Sequence, residues 1–234
     1  MNNFFDGEGE ENCLVCNEKS CAAAVLSDNQ LNTLNNNSRE TDIRKGETIL
    51  KAGALTSHIV YLKTGFVKEH VEGPGQKSKI LQIIKKQSYL GLPSLFGARI
   101  NHYSYTALQD LKVCFIDINV FLEFIKDRGS FAFEVLSYVS RESLNKDFHL
   151  INQGHKRMYG RFADVLLYLS EEIFGTTAFD LLLTRQELAE LAGMSRENTA
   201  RALSHFREEG ILNINGKNIE ILKMDLLKRI SKNG

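Results

Sequence analysis

Four runs between residues 41 and 117 alternate apolar and polar positions: TDIRKGETILKAG, HIVYLKTGFVKEHVE, KSKILQIIKKQSYLGL and YSYTALQDLKVCFID. A period of two marks strands with one buried face. Glycines at 46, 53, 65, 73, 75, 91 and 97 punctuate the runs, and Pro74 and Pro93 fall in a turn and a loop of the same region. Closely spaced short strands with glycine turns predict an antiparallel barrel or roll. Near residue 118 the period lengthens to that of a helix. INVFLEFIKDRG predicts a helix of a turn or two. SFAFEVLSYVSRESLNKDFHLINQG (130–154) has no proline and is bracketed by Gly129 and Gly154, which predicts one long helix. KRMYGRFADVLLYLSEEIFG starts a further helix that ends at Gly175. Upstream, AVLSDNQLNTLNNN reads as a short amphipathic helix with an Asn-rich loop, and residues 1–20 as an arm.

The last sixty residues form a separate block, dominated by LTRQELAELAGMSRENTARALSHFREEGILNINGKNIEIL. Thr184 and Glu187 make a T-x-x-E capping box ahead of Leu188 and Leu191. Gly193 suits a tight turn, and Ser195 can cap the next helix. There Thr199, Leu203 and Phe206 recur at i, i+4, i+7 and face inward, which turns Arg196, Glu197, Ala200, Arg201 and Ser204 outward. ILNI-NG-KNIEIL then reads as a hairpin on an Asn-Gly turn. Helix, turn, helix, hairpin is a winged helix-turn-helix, whose second helix enters the DNA major groove. Arginine can donate twice to guanine O6 and N7, and glutamate can accept from cytosine N4. Glu197 and Arg201, four residues apart, can also orient each other.

Charge changes this picture little. The chain of 234 residues carries 29 basic and 29 acidic side chains, so bulk charge announces neither nucleic acid nor membrane. Residues 1–40 are acidic, with seven Asp/Glu against two Lys/Arg. No apolar stretch reaches the length of a membrane span, and the acidic N-terminus lacks the features of a signal peptide. The cytoplasm is the expected compartment, where thiols stay reduced.

That makes the cysteines informative. Cys13, Cys16 and Cys21 form C-x2-C-x4-C in the arm, and the remaining cysteine, Cys114, lies in LKVCFID on the last strand of the expected roll. Four soft thiolates suit an iron–sulfur cube or a tetrahedral zinc ion. Taken singly, Cys114 also reads as a buried core thiol, and the arm trio as a redox-active segment. An enzyme with a thiol or iron–sulfur centre finds no support in a Gly-rich phosphate loop, a nucleophile elbow or a His-rich constellation.

The order of roll, long helix and winged helix-turn-helix resembles the CRP/FNR family of bacterial transcription regulators over nearly the whole chain, most strongly in SRENTARALSHFREEGIL. The resemblance implies an α+β fold: a cyclic-nucleotide-binding-like antiparallel β-roll, a long dimerisation helix and a C-terminal winged helix-turn-helix. The expected division is 1–22 arm, 23–128 sensory roll, 129–154 dimerisation helix and 155–234 DNA-binding domain. Arg196, Glu197 and Arg201 resemble the base-reading set of the CRP branch, which implies a half-site of the TGTGA kind in promoter DNA, with RNA polymerase a further partner. In cAMP-binding members a Gly-Glu pair and an Arg-Ser pair hold ribose and phosphate. Here Leu92 follows Gly91 where the Glu belongs, and Asn101, His102 and Tyr103 stand near the Arg-Ser positions, with Arg99 off register. A cyclic phosphate would lack its charge-assisted partner, so cAMP is not the expected ligand.

The cysteines resemble the FNR branch, with three ligands in the arm and a fourth on that same strand, although this arm loop is one residue shorter. The resemblance implies a [4Fe-4S] cluster on Cys13, Cys16, Cys21 and Cys114 that makes an enzymatically inactive regulator sensitive to oxygen, and to nitric oxide as a further candidate signal. Zinc, no metal, or a small ligand in the roll are the alternatives. On the long helix, Leu136, Val139, Ser143, Lys146 and Leu150 fall on an a/d seam for a homodimer. Lys146 would meet its symmetry mate there, a like-charge contact that opposes association. Leu144, Phe148 and Ile151 form a second stripe expected to face the chain's own roll.

Overall fold

The computed structural model describes residues 16, 18–73, 78–97 and 99–234, with 147–155 described as backbone only. Cys13 lies outside the described residues, and the side chains of Leu150, Phe148 and Ile151 do as well.

The roll is two four-stranded antiparallel sheets facing each other. One carries β1 (Ser38–Ile43), β8 (Leu111–Asp117), β3 (His58–Leu62) and β6 (Ser88–Leu90) in that order. The other carries β2 (Thr48–Leu50), β7 (Ser104–Ala107), β4 (Phe66–Glu72) and β5 (Ser78–Lys85). The period of two divides the side chains as expected. Val60, Leu62, Val67, Leu90 and Val113 fill the space between the sheets, while Ile59, Tyr61, Tyr89 and Ile116 point out of it.

That outward face of the first sheet would be an exposed apolar surface if nothing covered it. Five helices do: α1 (Cys21–Ala24), α2 (Asp28–Asn36), α3 (Leu92–Phe96), α4 (Ile118–Asp127) and the start of α5 (Gly129–His155). Phe121 and Phe131 are fully buried there, edge to face at 5.2 Å. The sequence pattern did not show α3. Gly91 takes a left-handed φ of 80°, and Pro93 in the first turn needs no amide partner.

α6 (Met158–Leu167) continues without a break into a wider π-helical turn, Tyr168–Phe174, which stops at left-handed Gly175. α7 (Arg185–Ala192), α8 (Arg196–Glu208) and α9 (Met224–Asn233) complete the C-terminal helices. β10 (Leu212–Asn215) and β11 (Asn218–Ile221) form the hairpin, and β9 (Ala178–Asp180) adds a third strand that periodicity missed because it is three residues long. The turn centres on Gly216 and Lys217 rather than on Asn215 and Gly216, because Asn215 still pairs with Asn218. Glycine supplies the positive φ, 60°, that the first turn position requires.

The C-terminal domain shares one core with the second sheet's outer face. Ile80, Ile83 and Leu108 of the roll pack with Phe162, Leu166, Leu169 and Phe206. The Tyr168 hydroxyl donates to the Ile83 carbonyl at 3.0 Å and accepts from its amide at 2.9 Å. Lys68 on β4 reaches Glu187 on α7 at 2.6 Å.

Candidate nucleic-acid interface and thiol site

The recognition helix is built as its local sequence dictates. Thr184 accepts from the Glu187 amide, and Glu187 accepts from the Thr184 amide, closing the capping box at the start of α7. Gly193 ends α7 in the left-handed region with φ of 60°, and the Ser195 hydroxyl accepts from the Asn198 amide to start α8. Thr199, Ala202, Leu203 and Phe206 are buried against the domain core. The opposite face of α8 is therefore free, and Arg196, Glu197, Ala200, Arg201 and Ser204 are all exposed on it.

Glu197 does not pair with Arg201 in an ion pair among the described residues. Its carboxylate turns to its own amide and the Ser195 hydroxyl, contacts that lower its pKa. Arg201 is exposed beside it on the same face. Two further cations complete a groove of about 280 Å³ between α8 and the hairpin: Arg185 at the first position of α7 and Arg207 at the end of α8. Sequence reasoning passed over both. Arg207 follows Arg196 by eleven residues, three turns along one face, which is the signal that finds it.

The arm crosses the outward face of the first sheet. In β8, Cys114 stands opposite Glu40 of β1 on one side and Tyr61 of β3 on the other, so the three side chains share that face. The Tyr61 hydroxyl donates to the Glu18 carbonyl at 2.6 Å, and the Ser20 hydroxyl meets the Tyr89 hydroxyl at 2.5 Å. Burial first, then the neighbouring Tyr89, Cys16, Glu18 and Cys114, raise the Tyr61 pKa, so both thiols lie within electrostatic range of one phenol. Ser20 also caps α1, and α1 packs on α5. Cys16 and Cys114 are half-buried, while Cys21 is exposed. Among the described residues, no three His, Cys, Asp or Glu side chains are gathered closely enough to hold a metal ion. Beside Cys114, Glu40 binds two cations, Lys63 at 2.5 Å and Lys112 at 3.2 Å.

The long helix turns two of its a/d positions, Val139 and Lys146, partly toward the roll. Leu136 is 64 % exposed and Ser143 is exposed too, as seam positions should be, while Val139 and Lys146 are half-buried where α5 borders a cavity against the roll. Lys146 turns inward and places its ammonium 2.8 Å from Glu69, so within one chain its charge already has a partner. Leu144, expected against the roll, is instead 69 % exposed. The physical reason is Glu69, a fully buried carboxylate that needs a cation and draws Lys146 to it. The outward stripe is then Phe133, Leu136, Ser140 and Leu144.

The cavity has a volume of about 290 Å³. Gly91, Leu92 and Tyr103 line it, whereas Arg99 is exposed at a left-handed φ of 55° and Asn101 is buried against Thr56. No arginine lines the cavity among the described residues. Glu142 lines it too, its pKa raised chiefly by burial.

Comparison with known proteins agrees with this arrangement. Residues 40–128 match the cyclic nucleotide-binding domain, and residues 160–230 match the Crp-like helix-turn-helix domain. The chain is 26% identical to the CRP-like cAMP-activated global transcriptional regulator of Mycobacterium tuberculosis, over 80% of this chain and 86% of that protein. It is 23% identical to the fumarate nitrate reduction regulatory protein of Klebsiella oxytoca, over 94% and 90%. The solved structure of FixK2 from Bradyrhizobium japonicum superposes with a TM-score of 0.75 at 19% identity, covering 82% of this chain and 96% of that one. No helix among the described residues is long and apolar enough to cross a membrane. The two domains, their order, their fold and the open recognition helix place this chain in the CRP/FNR family of DNA-binding transcription regulators.

Proposed function

We propose that this regulator binds promoter DNA as a homodimer and that thiol chemistry in its arm sets the strength of that binding. The observation that carries the reading is the path of the arm. Glu18 and Ser20 hold it on Tyr61 and Tyr89, over the face that bears Cys114, and α1 passes the arm's position to α5. Cys13, Cys16, Cys21 and Cys114 have the donor chemistry for a [4Fe-4S] cluster, which would supply an oxidation-sensitive link between arm and roll. Oxygen is the signal this chemistry favours, with nitric oxide a second.

The chain's own residues do the rest. Arg196 and Arg201 read base edges, while Arg185 and Arg207 hold phosphates. Phe133, Leu136 and Leu144, each at least 64 % exposed, cover one another across the two-fold. A cyclic phosphate entering the cavity would meet the carboxylates of Glu69 and Glu142, with the one ammonium of Lys146 already paired to Glu69, which speaks against cAMP as the ligand. The half-site is of the TGTGA kind, and RNA polymerase is the partner at the promoter.

Reconstitution without oxygen tests the reading. Wild-type protein should bind four iron and four sulfide per chain, as the proposed cluster requires, and lose its visible spectrum in air. Cys114→Ala should not retain the cluster. Stoichiometric zinc in place of iron, or full iron retention by Cys114→Ala, would overturn it.

A further inference from the structure

The cavity between roll and helix contains an ion pair that none of the regulator functions above requires. Glu69 is wholly buried on β4, yet both its carboxylate oxygens are bonded. Tyr105 donates to one carboxylate oxygen at 3.0 Å, Gln82 to the other at 2.7 Å, and the Lys146 ammonium reaches both at 2.9 and 2.8 Å. The same ammonium sits 4.9 Å from the centre of the Tyr103 ring, within range of a cation–π contact. A carboxylate, two fixed donors that aim its oxygens, and an aromatic face make a receptor for a primary ammonium ion. The cation comes from a different element, α5, and arrives on a flexible four-carbon stem. Glu142 adds a second carboxyl group to the lining, so acidic groups outnumber the one cation there.

We propose that this cavity is an ammonium-binding site whose resident ligand is the chain's own Lys146, and that it accepts small primary alkylammonium ions when Lys146 is removed. The site tethers α5 to the roll from inside. Its chemistry selects a cation and rejects an anion. The inference stands on the cavity alone and does not depend on the thiol reading.

The test is chemical rescue. Lys146→Ala deletes three methylenes and the ammonium, a fragment matched by n-propylammonium. Removing one partner of a buried pair leaves Glu69 uncompensated, and the thermal midpoint of the full chain should fall by roughly 10 °C. Added n-propylammonium should raise it again, saturably, while 1-propanol and propionate at equal concentration should not. Wild-type protein, its site filled, should not respond. Lys146→Met/Glu69→Gln, which removes both charges at similar volume, should fold and be insensitive to the amine. If Lys146→Ala folds only with n-propylammonium present, the proposal is supported. Equal rescue by 1-propanol, rescue that survives Glu69→Gln, or a Lys146→Ala protein indifferent to the amine would overturn it.

Discussion

Single side chains on α8 divide into two kinds of work. Arg201 is exposed and not ion-paired with Glu197, and the proposed reading assigns it a base edge. Arg201→Ala should cost about 1–3 kcal/mol against the preferred half-site and relax preference at one base pair, read by competition binding with single-base variants. Arg207→Ala should behave differently. A phosphate contact carries no sequence information, so affinity should drop across all sequences and the slope of log K against log salt should shrink by about 1. Glu142 gives a prediction of opposite character. Its raised pKa means the folded state resists its ionisation, a penalty present above the folded pKa and relieved as pH falls. Glu142→Gln should therefore raise the thermal midpoint at neutral pH, with the gain disappearing in acid. The outward identity of all five residues proposed to read DNA was legible from the i, i+4, i+7 core set alone. The inward turn of Lys146 was not, because it depends on Glu69, 77 positions away in sequence, whose burial no local pattern reveals.

Elements show the same division. The capping box, the Gly193 turn and the Ser195 cap are local, and each forms as its residues require. Thr184→Ala should lower stability by about 1 kcal/mol, measured by denaturant unfolding. Two short elements, α3 and β9, were not legible in the pattern and are specified by what they pack against, whereas the ten-residue α9 carries a helical repeat, with Leu227 buried, that sequence reasoning passed over. The docking of α7 on β4 is likewise tertiary. Burial opposes ionisation of Glu187, but bonds from Lys68 and Thr184 outweigh it and hold the carboxyl below its usual range. A depressed folded pKa gives stability that is present above the unfolded value and lost as pH falls through the folded one. Contact between the domains should thus persist at neutral pH and loosen only in acid, as pH falls through the depressed folded pKa and the Glu187 carboxylate protonates. Hydrogen exchange at β4 and the start of α7 would show it, and Lys68→Met should remove the acid-dependent part. On α5, Leu136→Glu/Leu144→Glu should leave a folded monomer by sedimentation, since both positions are solvent-facing and neither supports the core.

At the scale of the whole molecule, the fold packs arm, roll and DNA-binding domain in series. The arm rests on the roll's outer face, the same apolar cluster holds the first turns of α5, and the roll's other sheet shares a core with the DNA-binding domain. A change at the arm therefore has a continuous packed route to α5, and α5 carries the outward stripe that a second copy would cover. The order of roll, long helix and winged helix-turn-helix was legible in the changing period of the sequence. The close contact between roll and DNA-binding domain was not, because Ile80, Ile83 and Leu108 read simply as strand residues until their partners are known. The central claim is that arm thiols govern DNA affinity. The most direct measurement is the dissociation constant for a TGTGA-type palindrome, taken on one anaerobically reconstituted sample before and after exposure to air, beside Cys114→Ala treated identically. The account predicts a loss of at least tenfold in air for wild type, about 1.4 kcal/mol or more, and a Cys114→Ala protein that is weak throughout. Equal affinity before and after air, or a Cys114→Ala protein that binds as tightly as the anaerobic wild type, would contradict it.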